Sequence, residues 1–278
     1  MDDQLQERHF AELTRLIENH TGIRLPPVKR TMVEGRLRKR VRALGLKDLS
    51  EYGEAIFNNG RLADEFAHVV DCVTTNKTDF FREPQHFAFL RQTAIPNLLK
   101  LRRASGAPLK FWSAAASIGA EAYTIAFVLA ELLGLDGQPF GILGTDISRD
   151  VLEQARRAVY PLAFAEPIPE AVRQRYLMLA RDASRAEFRI VPELRQRVRF
   201  EPLNLMDERF PVDSNFDVIF CRNVLIYFSK ASQAAVLRRL CAHLRPGGYL
   251  LLGHSESLAG NDHAELRQVA PTIFRRAA

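Results

Sequence analysis

The sequence predicts an α/β protein in which an all-helical segment precedes a doubly wound, mostly parallel sheet. Two observations carry this prediction. Apolar residues recur at helical spacing within residues 1–74, and short apolar runs alternate with helices from Leu109 onward. Strands that alternate with helices are typical of a parallel sheet covered by helices. The length of 278 residues fits one large domain or two modest ones.

Several helices are predicted in residues 1–74, which we expect to form an N-terminal bundle. The first apolar stripe ends near Gly22, and a second one runs along Val33–Leu44. Two shorter helices follow at Leu49–Phe57 and Leu62–Val73. Amphipathic helices bury their apolar stripes against one another. Residues 1–74 are therefore expected to fold as an all-helical, basic domain.

The positive charge is concentrated in this domain. Between Arg24 and Lys47, nine basic residues face a single acid, Glu34, so this segment carries +8 while the whole chain carries +6. A localised positive field attracts nucleic acid, an anionic membrane or an acidic protein. The basic side chains expected to form a docking face are Arg36, Arg38, Lys39, Arg40 and Arg42. We prefer docking to a merely solvated face because few acids in the segment could neutralise them.

The rest of the chain is predicted to be a linker at residues 75–87 and an α/β domain at residues 88–278. The linker begins with a polar, non-periodic run and is expected to contribute to a ligand site. The predicted strands are Lys110–Ala114, Phe140–Thr145, Val198–Phe200, Phe216–Phe220 and Tyr249–Leu252. Phe188–Val191 and Arg197–Phe200 are predicted to pair as a hairpin, giving a small inserted antiparallel β-subdomain at about residues 171–201.

Composition excludes several classes of protein. The chain is 47% hydrophobic and 26% charged, as in soluble globular proteins, and has no apolar run long enough to span a membrane. Its acidic first residues are not those of a signal peptide. Cys72, Cys221 and Cys241 lie far apart, which favours a reducing cytoplasm, and neither they nor the histidines show the spacing of a metal site.

Ligands of open parallel sheets bind at the carboxyl ends of the strands. The first predicted strand leads into Ser113–Gly119, whose small side chains let a ligand approach the backbone, but a G-x-G-x-x-G fingerprint is absent. Asp146, at the end of the second strand, could bind ribose hydroxyls or cap the next helix. Glu121 could neutralise a ligand ammonium group or complement the dipole of its helix.

A third strand end adds polar groups. The apolar run Phe216–Phe220 leads directly to Arg222 and Asn223, which need polar partners if they are buried. One acid for a ribose, one acid for an ammonium group and no phosphate-binding loop together suggest S-adenosylmethionine as the ligand.

Five runs of residues resemble a known family. They are Thr75–Glu83, Trp112–Tyr123, Gly144–Ser148, Phe220–Phe228 and Gly253–Ser257. Together and in this order they resemble the CheR family of chemotaxis receptor glutamate O-methyltransferases. The resemblance covers essentially the whole chain and implies a Rossmann-like S-adenosylmethionine-dependent methyltransferase domain behind an all-α domain.

The resemblance also implies an activity and a set of site residues. A methyl group would pass from S-adenosylmethionine to receptor glutamate side chains, leaving S-adenosylhomocysteine, with no metal. The implied cofactor-binding residues are Asn76, Thr78, Arg82, Ala115, Glu121, Asp146, Asn204, Leu205, Arg222 and Asn223. Arg82 and Tyr227 correspond to the proposed catalytic residues of the family.

The first motif departs from the family pattern. The family usually has Gly-Glu-Glu-Pro-Tyr where this chain has Gly-Ala-Glu-Ala-Tyr at residues 119–123, and Ile118 stands where threonine is common. Glu121, the acid that we assign to the ligand, is retained, so activity is expected. The changes at Ala120 and Ala122 leave a non-catalytic cofactor-binding protein as an alternative.

The expected chemistry needs positioning more than proton transfer. A glutamate with a pKa near ~4.3 is already a carboxylate nucleophile at neutral pH, and alignment alone can contribute ~7–11 kcal/mol. Arg82 is predicted to orient this carboxylate, and Tyr227 to place it. The simpler alternatives are a surface ion pair of Arg82 with Glu83 or Asp79, and a partly buried aromatic role for Tyr227.

The predicted partner is the acidic helical bundle of a chemoreceptor's cytoplasmic signalling domain, and the edge of the β-subdomain could add a receptor tail peptide as a strand. The expected location is the cytoplasm, at receptor arrays on the inner membrane, without membrane insertion. A nucleic-acid methyltransferase is the main rival. Against it, Cys221–Asn223 stands where enzymes that methylate base amino groups carry Asn/Asp-Pro-Pro-aromatic. We therefore expect no nucleic-acid partner.

Overall fold

The computed structural model describes residues 3–101, 106–256 and 265–277. Its α-helices are α1 (Glu7–Thr21), α2 (Arg30–Ala43), α3 (Leu49–Phe57), α4 (Leu62–Val73), α5 (Pro84–Phe89), α6 (Ile95–Leu101), α7 (Ala120–Leu133), α8 (Arg149–Arg157), α9 (Glu170–Tyr176), α10 (Pro192–Arg195) and α11 (Lys230–His243). A π-helical turn, Leu90–Ala94, joins α5 to α6, and Leu225–Tyr227 is a 3₁₀ turn. The helices predicted at Leu49–Phe57 and Leu62–Val73 are confirmed.

Within the described residues, ten strands form two sheets. They are β1 (Leu109–Ala114), β2 (Phe140–Asp146), β3 (Val159–Pro161), β4 (Leu177–Leu179), β5 (Glu187–Ile190), β6 (Val198–Pro202), β7 (Phe216–Cys221), β8 (Leu244–Leu252), β9 (Leu266–Ala270) and β10 (Ile273–Arg276). The large sheet has the order β6-β2-β1-β7-β8-β10-β9, and the small one has the order β3-β5-β4. Neighbouring strands run parallel from β6 through β2, β1 and β7 to β8. Beyond β8, β10 and then β9 extend the same side of the sheet through antiparallel pairings. The predicted α/β fold with a small antiparallel sheet is confirmed.

The order of the strands fixes where a ligand can bind. The chain proceeds from β1 to β2 on one side and later returns to β7 on the other side. Ala114 at the end of β1 pairs with Thr145 of β2 and with Cys221 of β7. The carboxyl ends of these three strands therefore meet at a topological switch point, where open α/β sheets bind ligands.

Apolar cores lie on both faces of the large sheet. On one face, Phe111, Ile125 and Phe220 pack among the residues of α7 and neighbouring helices. On the other face, Trp112 and Ile219 pack against α11. Strands buried on both faces explain why the predicted strands read as continuous apolar runs rather than as alternating patterns.

The N-terminal helices have a separate core, formed around Leu13, Val33 and Tyr52. Gly22, with φ of 73°, ends α1 in the left-handed conformation, and its N–H donates to the Glu18 carbonyl, as expected for a helix-ending glycine. A Cβ at this position would lie 2.7 Å from the sulfur of Met206, so the segment after α1 packs closely on the α/β domain.

The predicted hairpin is wrong. Phe188 of β5 pairs with Tyr160 of β3 and Leu179 of β4, whereas Val198 of β6 pairs with Ile142 in the large sheet. The three strands of the small sheet therefore lie within residues 159–190. The predicted subdomain at about 171–201 leaves out β3 and includes part of β6, which belongs to the large sheet. Apolar patterning identified both strands but could not choose their partners, because β5 and β6 show the same alternation of buried apolar and more exposed polar residues.

No helix in the described ranges combines the length and the apolarity needed to cross a membrane.

Candidate active site

An open cavity lies at the switch point and has about 950 Å³ of empty space, including the part open to solvent. The carboxyl ends of β1, β2 and β7 form its floor, and the linker covers one side. Eleven residues predicted from the sequence line it: Asn76, Thr78, Arg82, Ala115, Glu121, Asp146, Asn204, Leu205, Arg222, Asn223 and Tyr227. Their individual roles remain predictions, but the chain brings all of them to one place.

The turn after β1 is shaped by backbone conformation. Ala115, Ser117 and Gly119 have φ of 61°, 50° and 87°, in the left-handed region that non-glycine residues rarely adopt. A Cβ at position 119 would lie 2.9 Å from both Ala155 and Phe200, so only glycine fits there. The tight turn directs the Ser117 N–H towards Asp146 at the end of β2, and α7 begins directly after it, beside the cavity.

Asp146 is buried and holds two loops together. Its carboxylate accepts the N–H of Ser117 at 2.8 Å and the N–H of Ser148 at 3.0 Å. The cap of α8 is Ser148, whose hydroxyl accepts from Val151, so Asp146 is not the capping residue. An ionised carboxylate offers about four acceptor sites, which leaves capacity for ligand hydroxyls. Burial raises the pKa of Asp146, and the N–H donors offset part of that rise.

Arg222 is a buried cation between two acids. Its side chain is 2% exposed, with Nη1 3.0 Å from Glu121 and Nη2 2.9 Å from Glu83. Nη2 also donates to the carbonyl of Arg82 at 2.6 Å. Arg222 thereby ties the end of β7 to α7 and to the linker. The sequence predicted that Arg222 would need polar partners, and the structure supplies three of them from within the chain.

The two acids differ in their electrostatic balance. Burial raises the pKa of Glu121, although Arg222 and the Ser113 hydroxyl, which donates to it at 2.6 Å, offset part of that rise. Burial acts in the same direction on Glu83, but Arg222 and the Asn223 side chain outweigh it and lower the pKa of Glu83. Glu83 is therefore the more firmly ionised of the two acids.

Glu83 also lies beside two histidines. Ligand-type atoms of Glu83, His86 and His254 lie within 4.8 Å of one another. Burial lowers the pKa of His86 to about 4, so this imidazole is neutral near pH 7. The Glu83 carboxylate is already paired with the guanidinium of Arg222, which repels any further cation.

The segment that carries Tyr227 is anchored by Glu256, a residue to which sequence analysis gave no role. The Glu256 carboxylate accepts backbone N–H groups from Gly253, Asn223, Val224 and Leu225. The Gly253–Ser257 run was a signal for this residue, although Ser257 itself lies outside the described residues. Glu83 was similarly missed, although it ends the first run that carried the resemblance.

Tyr227 and Arg82 flank the cavity from different segments. Lys29, from the turn before α2, places its Nζ 5.4 Å from the centroid of the Tyr227 ring, and the Tyr227 carbonyl accepts the N–H of Arg24. Arg82 donates to the Lys77 carbonyl at 3.0 Å. The neighbouring Glu83 pairs with Arg222, so it does not occupy Arg82 as a surface partner.

The N-terminal domain contributes directly to the cavity, which was not predicted. Thr21 and Ile23 line it. Asn204 donates from its side-chain amide to the His20 carbonyl at 2.6 Å, while its side-chain oxygen accepts the Met206 N–H. The Asn204 amide nitrogen thus connects the two domains, and its side-chain oxygen stabilises the turn that carries it.

The predicted docking face has more internal partners than expected. Arg40 makes a two-point ion pair with the buried Glu65 of α4, and Arg36 donates to the carbonyls of Val73 and Thr74 at the end of that helix. The remaining predicted docking residues are Arg38, which pairs with Asp3, Arg42, which donates to the Arg38 carbonyl, and the exposed Lys39. The expectation of few ion pairs is wrong because it counted only acids within the segment.

The fold and this site define an S-adenosylmethionine-dependent methyltransferase with a helical N-terminal domain. Comparison with known proteins specifies the family. A family model described as "CheR methyltransferase, SAM binding domain" matches residues 76–273, and "CheR methyltransferase, all-alpha domain" matches residues 8–74. The chain belongs to the CheR methyltransferase family, as the resemblance indicated.

Three curated relatives illustrate the similarity. "Chemotaxis protein methyltransferase 2" of Pseudomonas aeruginosa is 38% identical over 95% of this chain and 91% of its own length. The "Chemotaxis protein methyltransferase" of Salmonella typhimurium is 39% identical over 92% of this chain and 85% of its own length. That of Escherichia coli K12 is also 39% identical, over 95% of this chain and 88% of its own length.

Proposed function

We propose that this enzyme transfers the methyl group of S-adenosylmethionine to glutamate side chains of chemoreceptors, forming glutamate methyl esters. The observation that carries the proposal is that Asp146 and the Arg222–Glu121 ion pair lie in the same cavity as Arg82 and Tyr227. The name shared by the relatives, chemotaxis protein methyltransferase, supports the same substrate class.

The polar groups of the cavity fit the two ends of S-adenosylmethionine. Its amino-acid end is a zwitterion, and the Arg222–Glu121 pair offers one charge of each sign to it. Its ribose carries two hydroxyl donors, which suit the remaining acceptor sites of Asp146. The small residues of the turn after β1, including Ala115, leave room for the nucleoside against the backbone.

When bound, the cofactor supplies an electrophilic methyl group, which passes to a carboxylate oxygen and leaves S-adenosylhomocysteine. The chain does not need to provide a base, because a glutamate carboxylate is ionised near pH 7. Arg82 orients this carboxylate through its guanidinium. A loose contact serves catalysis better than a tight two-point pair, because strong pairing stabilises the nucleophile.

Tyr227 places the substrate carboxylate at the mouth of the cavity. Lys29 lies over its ring and adds positive charge there from the N-terminal domain. Next to these residues, Val28 is 88% exposed and Ile226 is 47% exposed. This mouth suits a helical substrate that presents an anionic side chain among small apolar ones.

The receptor's acidic helical bundle docks on the basic face of α2, chiefly through Lys39 and Arg42, which are its exposed cations. A receptor tail peptide adds to the edge strand β4, where Met178 and Leu179 are exposed. Such docking recruits the enzyme from the cytoplasm to receptor arrays.

A methyl-transfer assay tests the proposed function against its rivals. Tritiated S-adenosylmethionine is offered to a receptor signalling fragment and, separately, to total RNA, followed by treatment with base. Carboxyl methyl esters release methanol in base, whereas methylated nucleobases do not. We expect base-labile label on the receptor fragment; label on RNA alone would favour a nucleic-acid methyltransferase, and no label on either would favour a non-catalytic protein.

A further inference from the structure

The Glu256 carboxylate is a buried anchor for backbone. The residue is 5% exposed. One carboxylate oxygen, Oε2, accepts from Gly253 at 2.6 Å and from Asn223 at 3.0 Å. The other oxygen, Oε1, accepts from Val224 at 2.9 Å and from Leu225 at 2.7 Å. Each oxygen therefore receives two N–H donors, and the carboxylate is used to its full capacity.

Three of these four donors belong to one short segment, which runs from Asn223 into the 3₁₀ turn Leu225–Tyr227. Asn223 has φ of 59°, a left-handed conformation that needs local compensation in a non-glycine residue. A concave backbone of this kind lets three consecutive N–H groups point to one anion. By accepting these three N–H groups, the Glu256 carboxylate stabilises the left-handed backbone at Asn223.

This segment carries functional groups of the proposed site at both ends. Arg222 and Asn223 line the cavity at its start, and Tyr227 lines the cavity at its end. The Asn223 side chain donates to Glu83 at 3.1 Å. Glu83 therefore holds the segment through a side chain, and Glu256 holds it through backbone N–H groups.

We infer that Glu256 is a positioning residue for methyl transfer, which acts by holding the 223–227 segment so that Asn223 and Tyr227 face the cofactor and the substrate. This inference rests on the proposed function. A carboxylate is required at this position because all four partners are donors. Glutamine would place its own NH₂ donors against two of them, and a shorter aspartate would not reach both pairs.

Space around Gly253 supports the same assignment. A Cβ at this position would lie 2.6 Å from the Asn223 side-chain nitrogen, 2.8 Å from the Asn223 backbone nitrogen and 2.9 Å from Glu256 Oε2. Gly253→Ala therefore disturbs the same anchor from the opposite side without changing a charge, and it serves as an independent variant.

The test measures kcat for methylation of a receptor fragment per S-adenosylhomocysteine binding site, so that misfolded protein is not counted. The variants are Glu256→Gln and Gly253→Ala, each made in the wild-type and in the Tyr227→Phe background. The control is Asp217→Asn, which changes a buried carboxylate at the opposite end of β7 that accepts from Lys110 and Arg245. The control measures the effect of losing a buried acid away from the cavity.

We expect Glu256→Gln to lower kcat per site about tenfold, the scale of one lost charge-assisted hydrogen bond, while the control stays near wild type. The loss should shrink in the Tyr227→Phe background, because a residue that acts through Tyr227 has less to position there. Gly253→Ala should show the same pattern if Glu256→Gln fails to fold.

A kcat per site within twofold of wild type in both variants, or an equal loss in both backgrounds, would overturn the inference alone. Wild-type protein that neither binds S-adenosylhomocysteine nor methylates the fragment would instead remove the proposed function, and this inference with it.

Discussion

Arg222 and Glu121 form a buried ion pair, Nη1 to Oε2 at 3.0 Å, between the end of β7 and the first turn of α7. Glu83 pairs with the same guanidinium from the linker. One guanidinium thus pairs with two carboxylates that enter the site from separate segments. Removal of one partner of a buried pair leaves an uncompensated charge, which is more costly than the pair is stabilising.

We therefore expect Arg222→Met to lower the free energy of unfolding by about 3–5 kcal/mol, because it leaves both acids without a cation. Glu121→Gln should lower it less, since Arg222 keeps Glu83 and the Arg82 carbonyl as partners. Urea denaturation measures both variants. An Arg222→Met protein as stable as wild type would contradict the structural role assigned to this ion pair.

Cofactor affinity should depend on pH through Asp146. The ionised form accepts ribose hydroxyls, so affinity falls as pH is lowered through the pKa of Asp146. Burial raises that pKa, so the loss begins at a higher pH than it would for an exposed aspartate. Below this pKa, the dissociation constant should rise by up to about tenfold per pH unit for each proton taken up.

Calorimetric titration with S-adenosylhomocysteine from pH 8 to pH 5 measures this dependence. Asp146→Asn should bind more weakly at pH 8 and show a shallower pH profile, with the remaining slope due to Glu121, whose pKa is also raised by burial. Parallel profiles for the variant and the wild type would show that Asp146 does not govern the pH dependence.

A variant of Tyr227 should separate chemistry from cofactor binding, whereas Arg82 is predicted to serve both. Tyr227→Phe keeps the ring beneath Lys29 and removes only the hydroxyl, so turnover should fall while the affinity for S-adenosylhomocysteine stays nearly unchanged. Arg82→Ala should lower turnover too. Steady-state kinetics paired with calorimetry measure both effects, and unchanged turnover in both variants would defeat these assignments.

Docking is best tested with the exposed cations of α2. Reversing Lys39 and Arg42 to Glu should raise the Michaelis constant for the receptor fragment and leave kcat nearly unchanged, because both side chains lie on the surface. The effect should diminish with added salt, which shortens the screening length from ~30 Å at 0.01 M to ~8 Å at 0.15 M.

Arg40→Glu is the informative contrast. It places two acids against each other where Arg40 now pairs with Glu65, so it should lower stability rather than report on docking. Melting temperatures of the variants distinguish these outcomes. If Lys39 and Arg42 can be reversed with no change in the Michaelis constant at low salt, this face does not bind the receptor.

The sequence predicted those parts of the fold that depend on local pattern. The helices at 49–57 and 62–73 and the strands that lead to Asp146 and Arg222 follow from apolar spacing and from the polar residues that end each run. The hairpin prediction failed because strand partners are set by the whole sheet rather than by the strand's own residues.

Contacts between distant segments were beyond such reasoning. Glu256 reaches the N–H of Asn223 across 33 positions of the chain, and Arg40 reaches Glu65 across 25. Counting charges along the sequence cannot predict either of these contacts, since the residues that make them come from elements that are brought together only by the fold. The same limit hid the contribution of Thr21 and Ile23 to the cavity.

The most direct test of the account is a calorimetric titration of the purified protein with S-adenosylhomocysteine near pH 7.5. We predict one binding site per chain, with affinity lost at least about tenfold in Asp146→Asn and in Glu121→Gln, the scale of one hydrogen bond to a charged group. Absence of binding by the wild-type protein, or equal affinity in all three proteins, would contradict the assignment of this cavity to the cofactor.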